Sequence, residues 1–217
     1  MKKEKLVIFD WGGVIESHRE GEYSFHRAIE NIIRRLSDHK ISGDIISIWE
    51  DCVYIENGNK ISETSNMEDI KFWFHNIKNR FNLNCTFEKF IEVYKEEFMK
   101  VQYYNYVVEY AHSLKDRCKI GILSNLAYLD KERIDYQVDL SKFNYVWLSF
   151  ELNCIKPNEK IYNSVENYID IDNENILFID DNFCNLEIPK QHGWHTCQAF
   201  GYELDKIKES VDAFLNE

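Results

Sequence analysis

The chain has 217 residues, with 38 acidic against 26 basic side chains for a net charge of −12, and is 44% hydrophobic and 15% aromatic. That is too apolar and too aromatic for disorder, and long enough to bury a sizeable core in one or two domains. So acidic a surface repels nucleic acid and anionic lipid, no basic patch offsets it, and no apolar run reaches the roughly 18–20 residues of a membrane span.

In chain order, the first element is a strand at Leu6–Phe9. This run is too short for the apolar region of a signal peptide, so a cytoplasmic protein is expected. From Glu22 to Ser37 the apolar residues Phe25, Ile29, Ile32, Ile33 and Leu36 repeat with a 3.6-residue period. Similar stripes follow at Ile45–Val53, Ile70–Ile77 and Phe87–Phe98. The spacing predicts four amphipathic helices and little else between about residues 18 and 100. Beyond them come short β-rich runs at Ile120–Leu123, Tyr145–Phe150, Ile176–Ile179 and Thr196–Phe200. Helical stretches separate or follow them, such as Asn105–Asp116, Glu159–Tyr168 and Leu204–Leu215. Strand–helix alternation of this kind predicts an α/β fold: a Rossmann-like parallel sheet with helices on both faces. The all-helical block is then an insertion after the first strand. The expected division is a core of residues 1–16 and 101–217 with a helical cap of residues 17–100.

The six cysteines are scattered, form no CxxC, and read as reduced, mostly buried thiols. The seven histidines lack the spacing of a zinc site. Chemistry concentrates elsewhere. In an open parallel sheet, ligands bind beyond the carboxyl ends of the strands. The polar residues there are Asp10, Ser124, Lys156 a little past its strand, and the pair Asp180–Asp181. Carboxylates gathered at one edge repel one another unless a cation lies between them. An oxygen donor set of this kind suits Mg²⁺, with Ser124 and Lys156 as donors to a phosphate. The pattern points to metal-assisted phosphoryl transfer.

Four segments then carry a resemblance. Phe9-Asp10-Trp11-Gly12-Gly13-Val14-Ile15, Ile122-Leu123-Ser124-Asn125, Ile155-Lys156-Pro157 and Phe178-Ile179-Asp180-Asp181-Asn182 resemble, in order, the four motifs of the haloacid dehalogenase superfamily. Their wording is most similar to the branch of glucose 1-phosphate phosphatase-like proteins, which have helical caps. The resemblance implies that Asp10 is the nucleophile and forms an aspartyl-phosphate. It also implies that Lys156 neutralises charge, and that Ser124 and the Asn125 amide hold phosphate oxygens. Mg²⁺ would be held by Asp10, the Gly12 carbonyl, Asp180 and Asp181. The implied partner is a small phosphorylated metabolite. One departure stands out: relatives commonly carry a second Asp as general acid two residues after the nucleophile, where this chain has Gly12. Glu16 and His18 are the nearest replacements. Two alternatives follow from the same motifs: a metal-independent dehalogenase, and a binder that has lost turnover. Substrate identity and oligomeric state are not fixed by the sequence.

Overall fold

The strand Leu6–Phe9 (β1) lies at the middle of the molecule and is buried on both faces. A computed structural model describes residues 4–39 and 43–217 of the chain. On one side β1 pairs with β2 (Lys119–Ser124), which pairs with β3 (Tyr145–Leu148). On the other it pairs with β4 (Ile176–Asp180), then β5 (His195–Gln198). The sheet order is β3-β2-β1-β4-β5 and every pairing is parallel. Alternating side chains serve the two faces. Val7 and Phe9 pack with Val107, Val108, Ile207 and Val211. Those belong to the helices Asn105–Ser113 and Leu204–Asn216. Leu6 and Ile8 face Ile161, Tyr162 and Val165 on the opposite side.

The helical block follows β1. It comprises α1 (Phe25–Leu36), α2 (Ile45–Asp51), α3 (Met67–Phe81) and α4 (Phe87–Phe98). Each is started by a side chain that accepts backbone N–H groups the helix cannot satisfy: Ser24, Asp44, Asn66 and Thr86. Their apolar stripes make a core of their own, with Ile29, Ile33, Trp49, Trp73, Phe90 and Phe98 among its members. Between α2 and α3 the chain forms a bridge from Tyr54 to Lys60 and a 3₁₀ turn at Ile61–Glu63, which the helical periodicity does not foresee.

The chain enters and leaves this block side by side. Ser17 N–H donates to the Gln102 carbonyl at 2.8 Å, and Gln102 N–H donates to the Tyr23 carbonyl at 2.8 Å. Beyond it come α5 (Asn105–Ser113), α6 (Lys131–Gln137), α7 (Ser149–Leu152), α8 (Glu159–Tyr168), α9 (Glu187–Gln191) and α10 (Leu204–Asn216). The expected strand Tyr145–Phe150 stops at Leu148, and its last two residues begin α7. Ser149 and Phe150 are buried all the same, and a buried apolar run reads alike in strand and helix. The last strand also shifts, to His195–Gln198. All six cysteines are free thiols. Among the described residues no helix is long and apolar enough to cross a membrane.

Candidate active site

Parallel strands deliver their carboxyl ends to one edge, and β1 with its two neighbours brings three of the expected residues there. Asp10 follows β1, Ser124 ends β2 and Asp180 ends β4. Asp10 is fixed to β4 by its N–H, which donates to the Ile179 carbonyl at 2.9 Å. Its Oδ1 accepts the Trp11 N–H at 2.6 Å and lies 2.8 Å from the Lys156 ammonium. The same ammonium donates to Asp180 Oδ2 at 2.6 Å. Asp180 Oδ1 accepts from the Asn182 N–H at 2.9 Å and from the Asn185 side chain at 3.0 Å. Asp180 is fully buried, and both its oxygens are engaged by protein donors.

Asp181 completes the group. Asp10, Asp180 and Asp181 each offer an oxygen within 4.8 Å of the others. The approach of Asp181 requires Gly13, because a Cβ there would lie 2.4 Å from the Asp181 carboxylate. Gly13 also has φ +73°, a conformation that side-chain-bearing residues avoid. Three carboxylates therefore face one ammonium. Burial, reinforced by the charge of Asp180 and opposed by Lys156, pushes Asp10 up to about 8. Burial and Asp180 also push Asp181 up to about 6. Lys156 is raised despite its own burial, because Asp10 and Asp180 hold its proton. Excess negative charge and an all-oxygen donor set fit a hard divalent cation.

Asn125 ties two loops together. Its side-chain oxygen accepts the Lys156 N–H at 2.8 Å and its side-chain nitrogen donates to the Lys156 carbonyl at 2.9 Å. Ser124 beside it is buried. Asn125 also borders a cleft of about 620 Å³ between sheet and helical block, lined further by Trp49, Tyr54, Lys60, Trp73 and Tyr94. That volume suits a small metabolite.

The two residues weighed as replacements for the missing acid part company. Glu16 is buried, accepts the Trp11 indole N–H at 3.1 Å and is ion-paired with Arg133. Arg133 reaches Asp130 at 3.4 Å, and Asp130 accepts from the Tyr94 hydroxyl at 3.2 Å. Sequence reasoning missed this second charged cluster, since Glu16 and Arg133 are 117 positions apart. Burial, with Glu16 adding to it, raises Asp130 to about 6 against the pull of Arg133. His18 instead lies at the loop that follows Asp10, against Gly12. Burial lowers its pKa, opposed by Glu16.

A sequence profile described as haloacid dehalogenase-like hydrolase matches residues 55–199, more than half of the chain. The chain belongs to this family. The matched stretch holds Ser124, Lys156, Asp180 and Asp181, while Asp10 lies before it. Comparison with curated proteins gives no match. Among solved structures, a haloacid dehalogenase family enzyme from Bacteroides thetaiotaomicron, in complex with magnesium and inorganic phosphate, superposes with a TM-score of 0.69. Its identity is 17%, over 91% of this chain and 95% of that one. L-2-haloacid dehalogenase from Xanthobacter autotrophicus, with chloropropionic acid covalently bound, gives a TM-score of 0.59 at 15% identity, over 89% and 76% of the two chains. The haloacid dehalogenase-like hydrolase thus has the family's Rossmann-like α/β fold, and both comparisons span nearly all of it.

Proposed function

We propose that this hydrolase is a Mg²⁺-dependent phosphatase of small phosphorylated metabolites, acting through an aspartyl-phosphate on Asp10. The observation that carries the reading is the excess of three carboxylates over one ammonium at the carboxyl ends of β1 and β4. Asp10 Oδ1 is anchored by Trp11 N–H and Lys156, so Oδ2 is presented for attack on phosphorus. The Ser124 hydroxyl and the Asn125 backbone N–H hold phosphate oxygens, the Asn125 side chain being engaged by Lys156. Lys156 neutralises charge on nucleophile and phosphoryl group, and Asp180 acts by fixing Lys156. Asp10, Asp181 and the Gly12 carbonyl, with Asp180 adjoining, would hold Mg²⁺, which when bound screens the repulsion between carboxylates and phosphate.

In the same reading, residues 17–100 are the cap over a core of residues 1–16 and 101–217, in a cytoplasmic protein. The substrate is a small molecule rather than nucleic acid, given the net charge of −12. The motif wording of the glucose 1-phosphate phosphatase-like branch and the size of the cleft favour a sugar phosphate. A metal-free dehalogenase would have no use for the two further carboxylates. The test is phosphate release from sugar phosphates, nucleotides and acyl phosphates with and without Mg²⁺, beside halide release from 2-chloropropionate. Magnesium-dependent phosphate release is expected. Halide release alone would install the dehalogenase, and neither product would leave a binder.

A further inference from the structure

An ester oxygen leaving phosphorus needs a proton, and water attacking a phosphoryl-aspartate must lose one. The ionisable groups nearest Asp10 are mostly committed. Lys156 is clamped between Asp10 and Asp180, Asp180 is saturated with donors, and Glu16 is tied to Arg133 and Trp11. His18 is different. A Cβ built on Gly12 would meet His18 Cε1 at 3.0 Å and Nε2 at 3.3 Å, so the imidazole covers the side of Gly12 from which a side chain would project. The nucleophile loop is thereby flanked: Asp181 against Gly13, His18 against Gly12. The ring is held in place by Phe25 (centroids 5.7 Å apart) and by stacking on His26 (5.8 Å, 21°). Its backbone is fixed through Ser17, whose N–H donates to Gln102. Among the described residues neither ring nitrogen of His18 is taken up by a hydrogen bond, which leaves both for a ligand.

We propose that His18 is the proton-carrying catalytic residue of this site, an inference that rests on the phosphatase reading. As Asp10 Oδ2 bonds to phosphorus and the ester P–O bond breaks, the leaving oxygen keeps the bonding pair and takes the proton of the imidazolium. The neutral ring then removes a proton from the water that attacks the phosphoryl-aspartate. That step releases inorganic phosphate, frees Asp10 and restores the imidazolium, so ester and water give alcohol and phosphate. Gly12 follows from the same geometry. It lies outside the left-handed region, so what opposes a side chain there is the His18 ring.

The experiment uses the full chain with Mg²⁺ and compares His18→Ala and His18→Gln with the unaltered protein. The substrates are an alkyl phosphate and 4-nitrophenyl phosphate, whose leaving group departs as a stable anion. For the alkyl ester, kcat/KM should fall by about 10²–10⁴-fold, the scale of lost general acid catalysis. For the aryl ester kcat/KM should fall far less, while kcat drops and a burst of 4-nitrophenolate precedes phosphate release, because dephosphorylation still lacks its base. Added imidazole should restore part of the loss in His18→Ala. Gly12→Asp should lower activity in the unaltered background, where its Cβ meets the ring, and raise it in the His18→Ala background, where the space is open. Circular dichroism of each variant separates unfolding from lost chemistry. Equal losses in kcat/KM for both esters, without burst or rescue, overturn the proposal while leaving the phosphatase standing. Absence of magnesium-dependent phosphate release in the unaltered protein overturns both.

Discussion

Two buried charged clusters flank the Trp11–Glu16 stretch, and they are built to opposite ends. The first sets Asp10, Asp180 and Asp181 around Lys156 and leaves negative charge uncancelled at the carboxyl edge of the sheet. The second sets Glu16 and Asp130 on Arg133, adds the Tyr94 hydroxyl, and joins the sheet to the helical block. Its guanidinium is also stacked over Phe98, at 5.5 Å from the ring centroid. Three carboxylates on one ammonium leave an excess of two negative charges, whereas two on one guanidinium leave an excess of one, with the Tyr94 hydroxyl donating to Asp130. The same residue types therefore serve different ends under the proposed function, and the larger carboxylate excess falls where a cation is proposed to bind.

Breaking each cluster should separate the two roles. The largest effect is expected from Asp10→Asn, which removes the attacking charge. Phosphatase activity should fall by at least about 10³-fold, with the melting temperature held or raised because one repelling carboxylate is gone. Near-normal turnover would sink the covalent mechanism. In the second cluster, Arg133→Met leaves Glu16 buried without its partner. A loss of about 3–5 kcal/mol in unfolding free energy is expected, read by urea denaturation, and a loss under 1 kcal/mol would mean that the joint is ornamental.

The pH dependence sharpens the contrast further. Asp130 has a folded pKa of about 6 against an ordinary 3.8, so the folded state binds its proton more tightly than the unfolded chain does. Stability from this group is full below the unfolded value and lost as pH rises through about 6. About two pKa units correspond to about 3 kcal/mol. Asp130→Asn should accordingly flatten the decline in unfolding free energy between pH 4 and pH 7. An unchanged slope would remove Asp130 from the account. The smallest effect concerns the first cluster, where Asp10 at about 8 and Asp181 at about 6 impose the same sign in metal-free protein. Mg²⁺ favours their charged forms, so the melting temperature should rise more with Mg²⁺ at pH 8 than at pH 5. A hundredfold excess over Kd is worth about 2.7 kcal/mol, and Asp181→Asn should shrink the rise.

What could be read in the sequence follows from how far each signal reaches along the chain. The helices of the block were legible because Phe25, Ile29, Ile32 and Ile33 repeat within a dozen residues. Asp10 and Asp180 were legible because each closes a short apolar strand. Helix α9 was hidden by Pro189, which its first turn accepts because an N–H there has no helical partner. The end of β3 was hidden because Phe150 is as buried in α7 as a strand residue would be. The Glu16–Arg133 pair was beyond reach, since no local pattern links two residues that meet only when the sheet and the block are assembled. His18 was visible as a candidate by proximity alone; its position over Gly12 needed the fold.

The paired crossings at Ser17 and Gln102 have a mechanical consequence. Two separate linkers would let the helical block twist and slide, whereas two segments stitched to each other at Ser17–Gln102 and Gln102–Tyr23 share a single bending axis. Any parting of block from sheet becomes a swing about that hinge. The contacts farther along the interface, Ser149 hydroxyl to the Ser62 carbonyl at 2.6 Å and Tyr94 to Asp130, then serve as its latches. A door hung on one pin returns to the same frame each time it shuts.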